Sequence, residues 1–334
     1  MRAFVLLLSV VISTALFSSD INVYFTTPGQ KESVILNELC SFIKASEKTI
    51  DVAVFDLDNM RVADALISAR KKGVIVRIVT DYDNLGTSAV KKLASEGIEI
   101  VSDKRKPFMH NKFAVSDSKR IWTGSYNFTD NCTFKNNNNA IVFESDNLAK
   151  VYTEEFEEMF SDGIFGNRKD STILGIKGKD KYYDKIGNTD LNIFFSPEDD
   201  VERIIVKMIE KADVSIDFLA FSFTSAPIAD AIIKKMKSGV KVRGVYDGSG
   251  ANGTGSQYVK LVLEGADIRI RKGLGVMHNK VFIIDGKRVI TGSYNFTKAA
   301  SAKNDENIAV IGSFDIASIF SGEFEKIYSK SSKK

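Results

Sequence analysis

The sequence contains two histidines, His110 and His278, 168 residues apart, and the residues that follow them agree in type and spacing. Each has a lysine at +2 (Lys112, Lys280), an aspartate at +7 (Asp117, Asp285), and then Gly-Ser-x-Asn, which supplies Ser125 with Asn127 and Ser293 with Asn295. The residues between alternate or run apolar, as in a strand, a turn at the aspartate and a returning strand. On a strand, positions i and i+2 face one side, so His110 projects with Lys112 and His278 with Lys280, and each turn returns a Ser and an Asn beside that pair. Two imidazoles, two ammoniums and two amides gathered from both copies suit a phosphodiester. Lys112, Lys280, Asn127 and Asn295 would hold the non-bridging oxygens and stabilise the charge of a pentacovalent transition state. One imidazole would attack phosphorus and the other protonate the departing oxygen, work that a group titrating near neutrality does without a metal. The aspartates at +7 suit the turn rather than the chemistry. Core packing alone would leave the accompanying lysines and asparagines without a role.

Composition narrows the field further. The chain has 334 residues, 44% hydrophobic and 27% charged, about two domains at the usual length and far too apolar for a disordered chain. With 46 basic and 43 acidic residues the net charge is +3, which excludes a uniformly basic nucleic-acid coat and leaves only local basic patches. Two cysteines exclude a disulfide scaffold and a Cys-rich zinc site, and two histidines exclude a His-rich metal site. No metal and no cofactor is expected.

The agreement between the copies extends beyond the motif. Gly97 matches Gly265 and Glu155-Phe156 matches Glu323-Phe324 at the offset of 168, while Asp51/Asp217, Gly73/Gly239, Arg77/Arg243 and Asp81/Asp247 match at 166. The second copy therefore carries two extra residues between Asp247 and Ser256, within GSGANGTGS, which lacks a P-loop ending and reads as a flexible lip. Each copy reads as strand (Ile50–Phe55; Val214–Phe221), helix (Arg61–Lys72; Ala226–Lys237) and strand (Val74–Thr80; Val240–Tyr246), followed by further elements. This pattern predicts α/β layers around a mixed, mostly parallel sheet. The first domain is expected over residues 20–160, a polar linker over 161–190 with a short strand at Thr172–Ile176, and the second domain over 191–334.

Residues 1–19 open MRAFVLLLSVVISTALF, one basic residue and then an apolar run too short to span a bilayer. The expectation is a secretory signal cleaved after Ala15, placing the protein outside the cell or in the periplasm; the alternative is an N-terminal membrane anchor. Cys40 falls with Ile35, Leu39, Phe42 and Ile43 on an approximate helical face, Cys132 lies in a polar loop, and Trp122 reads as core.

The pattern H-x-K-x4-D-x6-G-S-x-N, complete in both copies, resembles that of the phospholipase D superfamily. The resemblance implies two similar domains about a pseudo-twofold axis, one site at their interface, a covalent phosphohistidine and no metal requirement. It also implies a monomer that is internally a pseudo-dimer. Members of that family often place an acidic residue after the second motif strand, bonded to a catalytic imidazole. Copy two has Glu306 there and copy one has Asn138. A carboxylate on one ring nitrogen raises the basicity of the other, which favours His278 as nucleophile and His110 as leaving-group acid. Two-repeat relatives usually use the first histidine, so both assignments stand open at this point.

Lys104, Arg105 and Lys106 precede His110, and Arg269, Arg271 and Lys272 precede His278. In a pseudo-symmetric site these clusters would flank one groove and follow a polyanionic backbone. The compact halves and the lack of an obvious lipid-facing surface favour an exported endonuclease with nucleic acid as substrate. The alternatives are a phospholipase D or phosphatidyl transferase acting on phospholipid, and a non-catalytic nucleic-acid or lipid-binding module, which would need no imidazole pair.

Overall fold

The computed structural model describes residues 21–166 and 182–333. Residues 1–20, with the expected signal, and the expected strand at Thr172–Ile176 lie outside the described residues. The first half runs β1 (Ile21–Phe25), α1 (Val34–Lys44), β2 (Thr49–Val54), α2 (Met60–Lys71), β3 (Ile75–Thr80), α3 (Ser88–Ser95), β4 (Glu99–Ser102), β5 (Lys112–Ser116), β6 (Arg120–Gly124), α4 (Asp130–Phe134), β7 (Asn139–Glu144) and α5 (Asp146–Phe160). The second runs β8 (Tyr183–Ile186), β9 (Thr189–Ser196), α6 (Val201–Glu210), β10 (Ser215–Ala220), α7 (Ala226–Lys237), β11 (Lys241–Asp247), α8 (Gly248–Asn252), α9 (Tyr258–Leu263), β12 (Asp267–Arg271), β13 (Lys280–Ile284), β14 (Arg288–Gly292), α10 (Lys298–Ala302), β15 (Glu306–Gly312) and α11 (Phe314–Ser329).

Each half is an α/β unit around one sheet, ordered β1-β7-β6-β5-β2-β3-β4 and β12-β11-β10-β13-β14-β15-β9-β8. The expected balance of strand directions needs correction. Only β2-β3-β4 and β10-β11-β12 pair in parallel; every other pairing in both sheets is antiparallel. The cause is local. Helices carry the chain between the parallel strands, whereas the short turns at Asp117 and Asp285 can join only antiparallel neighbours. In each turn the aspartate takes positive φ (55° and 54°). The Asp117 carboxylate accepts from the N–H groups of Glu47, Lys48 and Thr49, and that of Asp285 from Asp213, Val214 and Ser215. Both carboxyls are held below their ordinary range by these backbone donors, which outweigh the cost of burial.

Three further expectations are revised. The second sheet begins at Tyr183, inside the stretch expected as linker, because Gly187 (φ 55°) permits a two-residue hairpin between β8 and β9. Residues 248–252 form one helical turn rather than a lip: Asp247 accepts from the Ser249 N–H, and Gly250 lies so close to Phe221 O that a side chain would not fit. Cys132 is buried in α4, not in a polar loop, and both cysteines are free thiols.

The apolar residues form three clusters. One lies between α1–α3 and the outer face of the first sheet and includes Cys40 and Trp122; a second occupies the corresponding place in the second half. The third joins the halves. Tyr152 and Phe156 of α5, Phe320 and Phe324 of α11, Phe113 of β5 and Val281 of β13 share one core between the two sheets. Among the described residues no helix is long and apolar enough to cross a membrane.

Polar contacts at the seam come in reciprocal pairs, the mark of a local twofold axis. The His110 N–H donates to Asp305 O and the His278 N–H to Asn137 O, both at 2.9 Å. Asn139 Nδ2 donates to Asn279 Oδ1 at 2.7 Å, and Asn307 Nδ2 to Asn111 Oδ1 at 2.8 Å. Thr291 Oγ1 donates to Asn139 Oδ1 and Thr123 Oγ1 to Asn307 Oδ1, both at 2.8 Å. These side chains are fully buried. Asn307→Ala strands the Asn111 carbonyl and the Thr123 hydroxyl without water, so we expect a loss of about 1–3 kcal/mol in urea denaturation. Asn139→Ala should cost a similar amount; no measurable loss in either would mean that the halves are not held by this network.

Candidate active site

Both motif segments reach the seam from the ends of their strands. β5 and β13 begin at Lys112 and Lys280, with the histidines two residues earlier in extended chain. Those lead-in segments are pinned from behind, Met109 N–H donating to Asp81 Oδ2 (3.1 Å) and Met277 N–H to Asp247 Oδ2 (2.8 Å). The glycine of Gly-Ser-x-Asn has a steric reason: Gly124 (φ 148°) and Gly292 (φ 155°) approach the backbones of Asn139 and Asn307 where no Cβ would fit. That approach lets Ser125 and Ser293 accept the N–H groups of the same two asparagines, each at 3.0 Å.

The site is dry. Lys112 and Lys280 are 0% and 1% exposed, His110 and His278 7% and 8%. Each ammonium donates to the backbone carbonyl of its own histidine, Lys112 Nζ to His110 O at 2.6 Å and Lys280 Nζ to His278 O at 2.7 Å. Each also lies over a phenylalanine ring, Phe55 at 5.2 Å and Phe221 at 5.1 Å. The same rings meet the imidazoles edge-on at 5.0 Å. Asn127 is buried and Asn295 half-buried, and Oδ1 of each lacks a hydrogen-bond partner.

The imidazoles differ in what holds Nδ1, and the arrangement corrects the sequence-based assignment. Glu306 Oε2 lies 2.7 Å from His110 Nδ1, not beside the histidine of its own copy. Ser293 Oγ (2.8 Å) and Asn304 Nδ2 (3.3 Å) donate to the same carboxylate. His278 Nδ1 instead faces Asn138 Oδ1 at 2.9 Å and Ser125 O at 3.1 Å. The crossing follows from the twofold axis, since β7 and β15 start at the seam and present their first residues to the opposite copy. With two oxygens facing His278 Nδ1, that nitrogen carries the proton and Nε2 is free; Glu306 fixes His110 in the same way when ionised.

Burial sets the proton balance. Loss of water pushes both imidazoles well below the ordinary histidine range, and the charges of Lys112 and Lys280 push them the same way. Burial also brings Lys112 down to about 8 and lowers Lys280 strongly, the latter helped by the charge of Lys112. Burial raises Glu306 to about 8, against the pull of Lys112. That both lysines act on both rings places all four groups in one electrostatic field, whose repulsion a bound anion would relieve.

The basic clusters are only partly available. Arg105 is ion-paired with Asp305 and donates to Lys303 O. Arg269 lies 3.8 Å over the Tyr328 ring and donates to Tyr328 O, and Arg271 donates to Leu274 O and Gly275 O. These arginines hold the fold, as a planar fork with several donors is suited to do. Lys104, Lys106 and Lys272 are exposed. The sequence reading missed Phe55 and Phe221, although the offset of 166 pairs them as it does Asp81 and Asp247.

Paired imidazoles and lysines, buried in one electrostatic field at the seam between two α/β units, are the groups of a phosphodiesterase site. The chain belongs to the phospholipase D superfamily: the family described as "Cardiolipin synthase, PLD-like domain" matches residues 39–160 and 205–328. It is similar to phospholipase D of Rickettsia conorii (34% identity over 151 residues, 45% of this chain and 76% of that one). It is also similar to human mitochondrial cardiolipin hydrolase (31% over 127 residues, 37% of this chain and 50% of that one). Phosphatidylserine synthase of Haemophilus influenzae shares the fold across 91% of this chain and 85% of its own, with TM-score 0.67 and 12% identity.

Two pH effects follow. A bound anion favours the protonated lysines and histidines that burial disfavours, so sulfate, fully ionised across the range, should bind about 10-fold or more tightly at pH 7 than at pH 9. Calorimetry in buffers of different ionisation enthalpy should show proton uptake, and a flat affinity would contradict an anion site built from these four groups. Because the value of Glu306 is raised, its stabilising share is whole below the ordinary carboxyl range and is lost as pH climbs through about 8. Glu306→Gln, which does not titrate, should gain stability relative to wild type between pH 5 and pH 9 in urea denaturation.

Proposed function

We propose that the protein is an exported endonuclease that hydrolyses nucleic-acid backbones through a phosphohistidine on His110, with no step that requires a metal. Support for the nucleophile is the contact of Glu306 with His110 Nδ1: the carboxylate stabilises the cation formed as Nε2 attacks phosphorus. A P–N bond forms and a P–O bond breaks. His278, protonated at Nε2, gives its proton to the leaving oxygen. It then takes one from water as that water attacks phosphorus, re-forming P–O and releasing His110. Lys112, Lys280, Asn127 and Asn295 hold the non-bridging oxygens. The diester's negative charge counters the two ammoniums and so restores the proton that His278 needs.

One observation carries the substrate class. Phe108 is 40% exposed, with its ring 5.2 Å from Phe55 and 6.4 Å from His110, and exposed Lys104 and Lys106 precede it. Tyr82, 53% exposed, donates its N–H to Asp103 beside the same lysines. Aromatic faces interleaved with cations at the lip of a phosphodiester site suit stacked bases and their backbone. Hydrolysis of phospholipid is the second reading, favoured by the names of the similar phospholipase D and cardiolipin hydrolase chains. The apolar stretch after Arg2 supports export, and the shared inner core supports action as a single chain with an internal pseudo-dimer.

Plasmid, single-stranded DNA, RNA and anionic phospholipid vesicles should be compared in EDTA. Polynucleotide cleavage is expected; cleavage of vesicles alone would select the second reading, and loss of activity in chelator would remove the proposed mechanism. With bis(p-nitrophenyl) phosphate, whose leaving group needs no acid, His278→Ala should release about one p-nitrophenolate per chain and stall as an acid-labile phosphoprotein. His110→Ala should lose turnover by at least ~10³-fold and show no burst. A phosphoryl group found on His278 would reverse the two roles.

A further inference from the structure

The copies differ in charge at several positions that the local twofold axis relates. A cavity of about 220 Å³ opens beside the His278 segment, walled by Lys272 and Leu274 after β12, by Lys326, Ile327 and Lys330 at the end of α11, and by Asn137 of the first copy. Asn137 ties it to the catalytic groups, its N–H donating to Val276 O and its carbonyl accepting the His278 N–H, both at 2.9 Å. The Asn137 side chain is 6% exposed, yet Oδ1 has no partner: a buried acceptor without a donor at the cavity wall.

The wall is built in advance of any ligand. Arg271 holds the carbonyls of Leu274 and Gly275, and the Val276 N–H donates to Asn136 Oδ1 at 3.0 Å. Gly275 (φ 65°) packs against Lys135 O with no room for a Cβ. Lys326 is paired with Glu323 at 3.1 Å, and the charge of Lys330 acts on the same carboxylate from farther away; Lys272 is exposed.

The other side of the site carries the opposite charge at several matched positions. A shift of 168 residues takes Asn137 to Asp305, Lys326 to Glu158, Lys330 to Asp162 and Gly273 to Arg105. Arg105, standing where the second copy has Gly273 (φ 132°), ion-pairs with Asp305, which also accepts the Gly166 N–H. Lys272 keeps its equivalent in Lys104, whereas the lysines at the end of α11 stand where the first copy has acids and Asn137 stands where the second has an ion-paired aspartate.

We propose that this cavity is a subsite for one further nucleotide of a polynucleotide, its backbone phosphate between Lys272 and Lys330 and a sugar hydroxyl or base amine donated to Asn137 Oδ1. The inference rests on the polynucleotide reading above. The volume lies below the ~300 Å³ at which pockets for whole drug-sized ligands begin, which suits one nucleotide rather than a pair of acyl chains.

The test is steady-state cleavage of a single-stranded decanucleotide against salt, with bis(p-nitrophenyl) phosphate, which has no second phosphate, as reference. Lys272→Ala and Lys330→Ala should each raise KM for the decanucleotide ~3–10-fold at low salt and reduce its salt slope by ~0.7, with a smaller loss on the reference diester. Asn137→Ala should raise KM and leave the slope unchanged; thermal unfolding confirms that each variant is folded. Wild-type KM and slope in both lysine variants would overturn the subsite, as would equal losses on the two substrates. A wild-type chain that hydrolyses vesicles and leaves the decanucleotide intact would instead overturn the reading on which the subsite rests.

Discussion

Two ammonium groups are held out of water beside two imidazoles, and the rest of the molecule is arranged around that constraint. Bringing a lysine into a dry interior is costly unless its charge is met by donors, rings or opposite charge. Here each Nζ receives one backbone carbonyl and one phenylalanine face, and a single buried carboxylate, Glu306, lies in the same field. Two potential cations beside one carboxyl that burial favours in its protonated form leave the site short of negative charge. The deficit is an affinity for a monoanion, and a phosphodiester is a monoanion. Binding and catalysis then draw on the same source, because the charge that enters also returns protons to groups that burial had stripped.

The seam explains why the site can be both symmetric in construction and asymmetric in action. Reciprocal asparagine bonds and shared apolar packing fix the two motif segments face to face without using a catalytic side chain. Once geometry is secured this way, each symmetry-related pair can diverge. Glu306 and Asn138 are such a pair, and the change turns one imidazole toward a stabilised cation and the other toward a fixed neutral tautomer. Asp305 and Asn137 are another: one anchors an arginine, the other leaves an acceptor bare.

The sequence made the duplication legible because the catalytic residues are rare types at a fixed spacing. The helices Met60–Lys71 and Ala226–Lys237 and the strands around them stand within a residue of their expected bounds, since apolar periodicity and capping residues act locally. What periodicity does not encode is which copy a strand end faces. Glu306 was recognised as the supporting carboxylate but given to the wrong ring, because the twofold crossing is a property of the assembled halves. The arginines of the basic clusters misled for a related reason. A sequence shows their charge but not the carbonyls within reach, and three of the six basic positions are occupied by internal partners.

Charge inversion at matched positions is the more informative signal, and it was present in the sequence without being visible as such. Lys326 and Lys330 align with Glu158 and Asp162 on helices that both end at the seam. Taken alone, each is an ordinary charged residue near a helix end, where lysine is favoured by the dipole and glutamate is not. Only when the fold places α5 and α11 on opposite sides of one catalytic centre does the exchange acquire direction. Near the first motif an internal arginine, Arg105, already pairs with Asp305, whereas the basic end of α11 leaves charge that a substrate can meet. A duplicated enzyme can thus acquire polarity toward a polymer by altering the walls, leaving the four buried groups that perform the chemistry in their symmetric places.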